Sequence, residues 1–177
     1  MTHKLSFDVI HATQLTAIQK VEIINLCAAA YEENFDRLFE SLPDSTHVLA
    51  RLDGELVSHA AWVTRWLQPD GHGLLRTAYV EAVATAPAYQ GRGFGTAVMQ
   101  QLSAEIGDYD LGALSPSDPA FYERLGWALW HGPLAIRMED GLLPTPDEQV
   151  MILQLVRTPH LDTNALLTAE PREGELW

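Results

Sequence analysis

The spacing of apolar residues changes several times along the chain, and each change marks an element. "KLSFDVIH" (Lys4 to His11) alternates and predicts a strand. From Gln14 to Tyr31 the apolar residues Ile18, Val21, Ile24 and Ala28 recur at helical spacing, which predicts a helix buried along that face. A shorter helix is expected from about Phe35 to Glu40, closing before Pro43. "HVLARL" and "ELVSHAAWVTRWL" flank Asp53-Gly54, a strong hairpin signal. "PDGHG" (Pro69 to Gly73) makes a second turn, so "LLRTAYVEAVAT" becomes the third strand of a meander. After a glycine-rich segment comes a helix with Phe94, Val98, Leu102 and Ile106 on one face. "YDLGALS" reads as a strand, "DPAFYERLG" as a short helix, and "WALWHG" and "LAIRM" as further strands or one bent strand. "QVMILQLV" reads as a buried strand, and the tail from Leu161 to Trp177 is less regular. The order β-α-α-β-β-β-α-β-α-β-β predicts an α/β fold, a mixed sheet with helices on both faces.

Composition narrows the class. The chain has 177 residues, 47% of them apolar, which suits a single domain over residues 1–177 with a real core. No stretch approaches the roughly 18 uncharged apolar residues of a membrane span, and "MTHKLSFDVI" lacks the plan of a secretory signal. A cytoplasmic protein is expected, with no membrane partner. The lone cysteine, Cys27, excludes an internal disulfide. The seven histidines are scattered without ligand spacing, so no metal is expected, and His59 and His131 read as satisfied core or rim residues. The formal net charge of −13 leaves no basic stripe for nucleic acid. Such acidity either attracts a cationic ligand over long range or simply keeps the protein in solution.

The segment "AVATAPAYQGRGFGT" (Ala82 to Thr96) carries the chemistry. A phosphate loop of the Walker type needs a lysine, and none is present. A dinucleotide fingerprint needs G-x-G-x-x-G at the first strand; here the spacing is G-x-G-x-G, after about four strands. What remains is a strand–loop–helix start that offers consecutive N–H groups, bare backbone at Gly91, Gly93 and Gly95, and one charge at Arg92. That set suits a pyrophosphate. Glu81, on the strand leading in, shares a face with Tyr79 and Val83 by alternation, and an ionised Glu among apolar neighbours is unusual. Phe121 and Leu125, at i and i+4, already supply a core face for the short helix and leave Tyr122 beside it.

Val83-Ala84, Pro87, Tyr89 and Gln90-Gly91-Arg92-Gly93-Phe94-Gly95 together resemble the acetyl-CoA motif of the GNAT superfamily of N-acetyltransferases. The element order matches that superfamily over about 130 residues. The resemblance implies a mostly antiparallel mixed sheet, splayed between the fourth and fifth strands where the pantetheine arm enters. It implies acetyl-CoA as co-substrate, held by Val83, Ala84, Thr85 and the run Gln90, Gly91, Arg92, Gly93, Phe94, Gly95 and Thr96. The Val83 N–H would face the thioester oxygen, Tyr122 would protonate the leaving thiolate, and Glu81 would take the ammonium proton directly or through water. Direct attack in a ternary complex is implied, with no covalent role for Cys27, and a homodimer is the default.

Four stretches resemble the aminoglycoside 2'-N-acetyltransferases more narrowly: "YVEAVA", "YDLGALS", "LGWALWHGP" and the terminal "REGELW". In that family the C-terminal end folds back to the acceptor. The likeness implies that Glu175 and the carboxylate of Trp177 bind a cationic amine together with Glu81 and Ser115, and that the product is an inactivated antibiotic. Two departures touch the acceptor side. Asn34 stands where that family places an acidic residue, with Glu33 and Asp36 beside it, and the loop from Ser115 to Tyr122 looks about two residues shorter, with Pro116 and Pro119. Fewer carboxylates would suit an acceptor with few amines, such as kasugamycin. Another small amine, a polyamine or amino sugar, and a non-catalytic acyl-CoA sensor stay open as alternatives.

Overall fold

The computed structural model describes residues 4–177. The first three residues, part of the stretch read above for a secretory signal, lie outside the described residues. The chain forms two compact units, each from two separate stretches. One runs up to Val63 and adds Val80–Glu105; the other is Thr64–Tyr79 with Ile106–Trp177. Strands β3 (Glu55–Pro69) and β4 (Leu75–Thr85) pass from one unit into the other.

In the first unit, β1 (Leu5–His11) and β2 (Thr46–Leu52) pair antiparallel from Leu5↔Leu52 to His11↔Thr46, and β2 turns into β3. The turn is the predicted Asp53-Gly54, with φ of 51° and 93°. Two successive left-handed residues twist a hairpin in the sense its strands require. Helix α1 (Ala17–Tyr31) begins at a capping box in which Thr16 and Gln19 bond each other's backbone N–H. Its buried face is not the predicted one. Ile18 and Val21 are 74% and 55% exposed, while Ile23, Leu26 and Cys27 are buried. Apolar residues run around most of this helix, so two stripes compete. Ile23, Leu26, Cys27 and Ala30 form the complete i, i+3, i+4, i+7 set, and that stripe packs with Leu15, Leu38, Leu42, Leu49 and Leu56. The short helix α2 is Leu38–Ser41, and α3 (Phe94–Glu105) buries Val98, Met99 and Leu102 on its expected face.

The second unit mixes strand directions. β4 pairs parallel with β5 (Leu111–Leu114) over Thr77↔Leu111 to Tyr79↔Ala113; beyond that stretch β4 continues from Val80 to Thr85 without pairing β5. β9 (Met151–Gln154) lies antiparallel to β5 and also pairs β6 (Ala128–Leu129). β7 (Leu134–Met138) joins a different ladder: parallel to β10 (Leu167–Ala169) and antiparallel to β8 (Gly141–Pro144). "WALWHG" and "LAIRM" are therefore two strands with different partners. β8 and β10 are short and weakly patterned, and the spacing of apolar residues does not predict them. Between β5 and β6 lies α4 (Pro119–Glu123), a single turn. The α/β class and the mixed sheet agree with the sequence reading. No helix among the described residues is long and apolar enough to cross a membrane.

Candidate functional site

The glycine segment adopts the conformation its composition demands. A 3-10 turn at Pro87–Tyr89 ends the strand, and α3 begins at Phe94. Between them Gly91 and Gly93 have φ of 71° and 86°, where a side chain is strained. A Cβ at either position would meet nothing within 4 Å, so the space above the backbone is open. The Gly93 carbonyl accepts the first helical bond from the Ala97 N–H at 3.0 Å. The N–H groups of Phe94, Gly95 and Thr96 are thus first-turn donors with no acceptor in the helix. The Arg92 guanidinium sits 5.0 Å from the Tyr89 ring centroid and 5.5 Å from that of Phe94. Tyr89 donates to the Glu55 carboxylate at 2.6 Å, and Gln90 Nε2 donates to the Thr85 carbonyl at 3.2 Å, which tie the loop to its own strands. Exposed N–H groups, a helix N-terminus and a positive charge fit a phosphorylated ligand such as coenzyme A.

The strand before the loop departs from regularity. Ala82 has φ of 51°, so alternation is interrupted between Glu81 and Val83, and spacing alone no longer places Val83 on the face expected for Tyr79 and Glu81. Glu81, Val83 and Thr85 are half-buried and Ala84 is buried. Side chains of the first unit hold the carbonyls in this stretch. His59 Nδ1 is 2.7 Å from the Ala82 oxygen, the Tyr31 hydroxyl donates to Val83 at 2.6 Å, and the Ser58 hydroxyl donates to Ala84 at 3.0 Å. Neither Tyr31 nor His59 was singled out as functional from sequence. Nothing local distinguishes them, because each meets its partner far along the chain. In the α1–α2 loop, Asn34 and Asp36 are exposed and bonded to each other: Asn34 Nδ2 donates to the Asp36 carboxylate at 3.0 Å, and Asn34 Oδ1 accepts from the Asp36 N–H at 2.7 Å. Cys27 is fully buried, and burial pushes its thiol up to about 12, so it stays protonated.

In the second unit, Tyr122 is 6% exposed, more buried than Phe121 or Leu125, and not beside the core as the i, i+4 spacing suggested. A single-turn helix does not let that spacing decide a face. Its ring meets Phe121 and Trp127 edge-on, at 4.9 and 6.4 Å between centroids. Burial, with Asp118 nearby, pushes the phenol up to about 12, so it keeps its proton at neutral pH. Ser115 is exposed at the end of β5. The tail is packed, with Trp177 only 2% exposed and its indole N–H donated to Thr145 Oγ1 at 2.7 Å. Arg65, itself 2% exposed, donates to the carbonyls of Leu176 at 2.9 Å and Glu170 at 2.8 Å. Arg172 donates to the backbone oxygens of Glu175 and Trp177. The two guanidiniums lie 4.8 and 5.3 Å from the Tyr79 ring centroid. The Glu175 side chain is exposed. Among the described residues, no group of three or more His, Cys, Asp or Glu could hold a metal ion.

A family model described as an acetyltransferase (GNAT) domain matches residues 12–130. An aminoglycoside 2'-N-acetyltransferase of Mycolicibacterium fortuitum is 34% identical over 176 residues, covering 95% of this chain and 90% of that protein. Among solved structures, the Escherichia coli GNAT family N-acetyltransferase YhbS, in complex with CoA, superposes with a TM-score of 0.65 at 16% identity, over 96% of this chain and 91% of that one. Escherichia coli ElaA gives 0.62 at 17% identity, over 85% and 100%.

Proposed function

The chain belongs to the GNAT acetyltransferases, and from that premise we propose that it transfers the acetyl group of acetyl-CoA to an amino group of an aminoglycoside, by direct attack with both substrates bound. The acceptor class is carried by the 34% identity to the M. fortuitum protein, which covers 95% of this chain and so runs well beyond residue 130, where the family match stops. Acetyl-CoA supplies an activated acyl group on a thioester.

On this reading the Phe94, Gly95 and Thr96 N–H groups and Arg92 hold the pyrophosphate, with Gln90, Gly91 and Gly93 shaping the loop. The edge of β4 from Val83 to Thr85 binds the pantetheine arm, and the Val83 N–H receives charge developing on the thioester oxygen. Glu81 accepts the ammonium proton of the acceptor, directly or through a water. Tyr122, neutral because it is buried, gives its proton to the departing thiolate. Asp36, Ser115, Glu175 and the Trp177 carboxylate bind the cationic acceptor, toward which a net charge of −13 adds long-range attraction. The Asn34 amide, engaged with Asp36, takes the place of a carboxylate, which favours an acceptor with few ammonium groups, of the kasugamycin kind. The enzyme so described works in the cytoplasm as a homodimer and confers resistance to its substrate.

The test is a panel of aminoglycosides, kasugamycin among them, and polyamines with acetyl-CoA, following thiol release. Turnover of an aminoglycoside supports the proposal, and turnover of polyamines alone moves the acceptor class. Thermal protection by acetyl-CoA without thiol release would identify a sensor. In the active enzyme, Tyr122→Phe should lower kcat by about 10²-fold or more, with acetyl-CoA affinity unchanged, as expected for a lost general acid. An unchanged kcat removes Tyr122 from the chemistry.

A further inference from the structure

A chain of buried polar side chains ends on the irregular point of β4. Ser45, His47 and His59 are all 0% exposed. Ser45 Oγ lies 2.7 Å from His47 Nε2, His47 Nδ1 lies 2.8 Å from His59 Nε2, and His59 Nδ1 lies 2.7 Å from the Ala82 carbonyl oxygen. Burial pushes His47 down to about 3 and His59 down to about 4, so both rings are neutral at pH 7.

With both rings neutral, the proton on His59 sets the direction of the ring-to-ring bond. A carbonyl only accepts, so His59 carries its proton on Nδ1 and leaves Nε2 as an acceptor. His47 must then donate from Nδ1, which leaves its Nε2 to accept from Ser45. The single Ser45 proton serves either His47 Nε2 or the Leu42 carbonyl, 2.6 Å away, and the ring protons keep their direction whichever of the two it faces. All the ring protons thus point toward Ala82. That alanine is one of the few non-glycine residues with positive φ, at 51°, a conformation that persists only where the surroundings enforce it. Its neighbours in sequence are Glu81 and Val83, whose directions depend on how the backbone turns at Ala82.

We propose that His59, oriented by His47 and Ser45, is a positioning residue for acyl transfer: by holding the Ala82 carbonyl it fixes the left-handed turn in β4 that aims the Glu81 carboxylate and the Val83 amide. The inference rests on the roles given to Glu81 and Val83 above. His59 itself touches neither substrate; it acts through the backbone of the residue between them.

Two measurements test it. In the wild-type protein, nitrogen-15 spectra of labelled histidine distinguish the two tautomers, and His59 should carry its proton on Nδ1. A proton on Nε2 overturns the proposal without any variant. In kinetics, His59→Leu should lower kcat by about tenfold or more, since a displaced catalytic group loses much of its rate advantage, while acetyl-CoA binding changes by less than about twofold. His59→Asn keeps an N–H near the Nδ1 position and should restore most of the lost kcat; equal kcat losses in the two variants would reduce His59 to a packing role and overturn the proposal. A folded His59→Leu with wild-type kcat does the same. Glu81→Gln, assayed in parallel, separates this from the underlying reading. Wild-type kcat in Glu81→Gln brings down the general-base role alone, because His59→Leu would still lower kcat through the Val83 amide.

Discussion

The loop that opens α3 and the tail that ends at Trp177 are built from opposite parts of the chain. The loop exposes backbone: Gly91 and Gly93 are left-handed and open above, and the side chain that supplies charge, Arg92, rests on two rings within four residues of it. The tail is held by side chains from far away in sequence. Arg65 binds the Leu176 carbonyl, Thr145 binds the Trp177 indole, and Arg172 closes the tail on itself. A ligand site made of backbone can stay exposed, because its shape comes from φ alone. A tail held by side chains must be buried to be ordered, and Glu175 is a side chain left outside that packing. The loop should therefore tolerate substitution in stability and fail in binding. The tail should fail in stability first.

The largest effect expected is at Trp177. Truncating a buried tryptophan costs about 3–5 kcal/mol, and Trp177→Ala also leaves the Thr145 hydroxyl without its donor. Urea unfolding should show a loss of that order. If Trp177→Ala unfolds at the wild-type midpoint, the tail does not contribute to the fold and the contrast with the loop disappears. The design of truncation experiments follows from this: removing the last residues would also strip the Leu176 carbonyl from buried Arg65, so an acceptor defect in a truncated enzyme would not by itself mark a binding site.

Arg92→Glu comes next and should reverse the pattern. Arg92 is exposed, so the melting temperature without ligand should hardly move. Binding should suffer, because a negative charge would then face the proposed pyrophosphate site. Exchanging a charge-assisted contact for a repulsion is expected to weaken acetyl-CoA by about 10²-fold, enough to abolish thermal protection at ordinary ligand concentrations. Wild-type protection in this variant would remove Arg92 from the cofactor site.

The same contrast explains which features are legible in the amino-acid sequence. The hairpin at Asp53-Gly54 and the loop at Gly91 and Gly93 are legible because glycine and aspartate at those spacings state the local φ directly. The faces of helices are legible only where one stripe is apolar. α3 obeys its spacing, while α1, apolar on two stripes, buries Ile23, Leu26 and Cys27 and leaves Ile18 and Val21 outside. Arg65, a charged residue in a strand, is 2% exposed, and tail carbonyls more than a hundred positions on accept from its two terminal nitrogens. Ala82 carries no signal at all: alanine has no preference of its own for a positive φ, and the ring that meets its carbonyl, His59, lies on another strand.

The smallest effect expected is at Glu175, where loop and tail would converge in behaviour. Its side chain is exposed, so Glu175→Gln should leave stability within about 0.5 kcal/mol of wild type. The Arg172 bond to the Glu175 backbone oxygen is untouched by that change, so the path of the tail is kept. What is lost is one negative charge at the proposed acceptor site. An exposed ion pair is worth little in water and more when a ligand excludes solvent from it, so the acceptor KM should rise by about three- to tenfold. Acetyl-CoA affinity should not change, since the loop proposed to bind it uses none of these atoms. The difference in KM between Glu175→Gln and wild type should narrow as salt is raised from about 0.01 M to 1 M, over which the screening length falls from about 30 Å to 3 Å. A KM equal to wild type at low salt would leave the tail with a structural role only. A KM that rises but ignores salt would assign the contact to a hydrogen bond of the carboxylate and not to its charge.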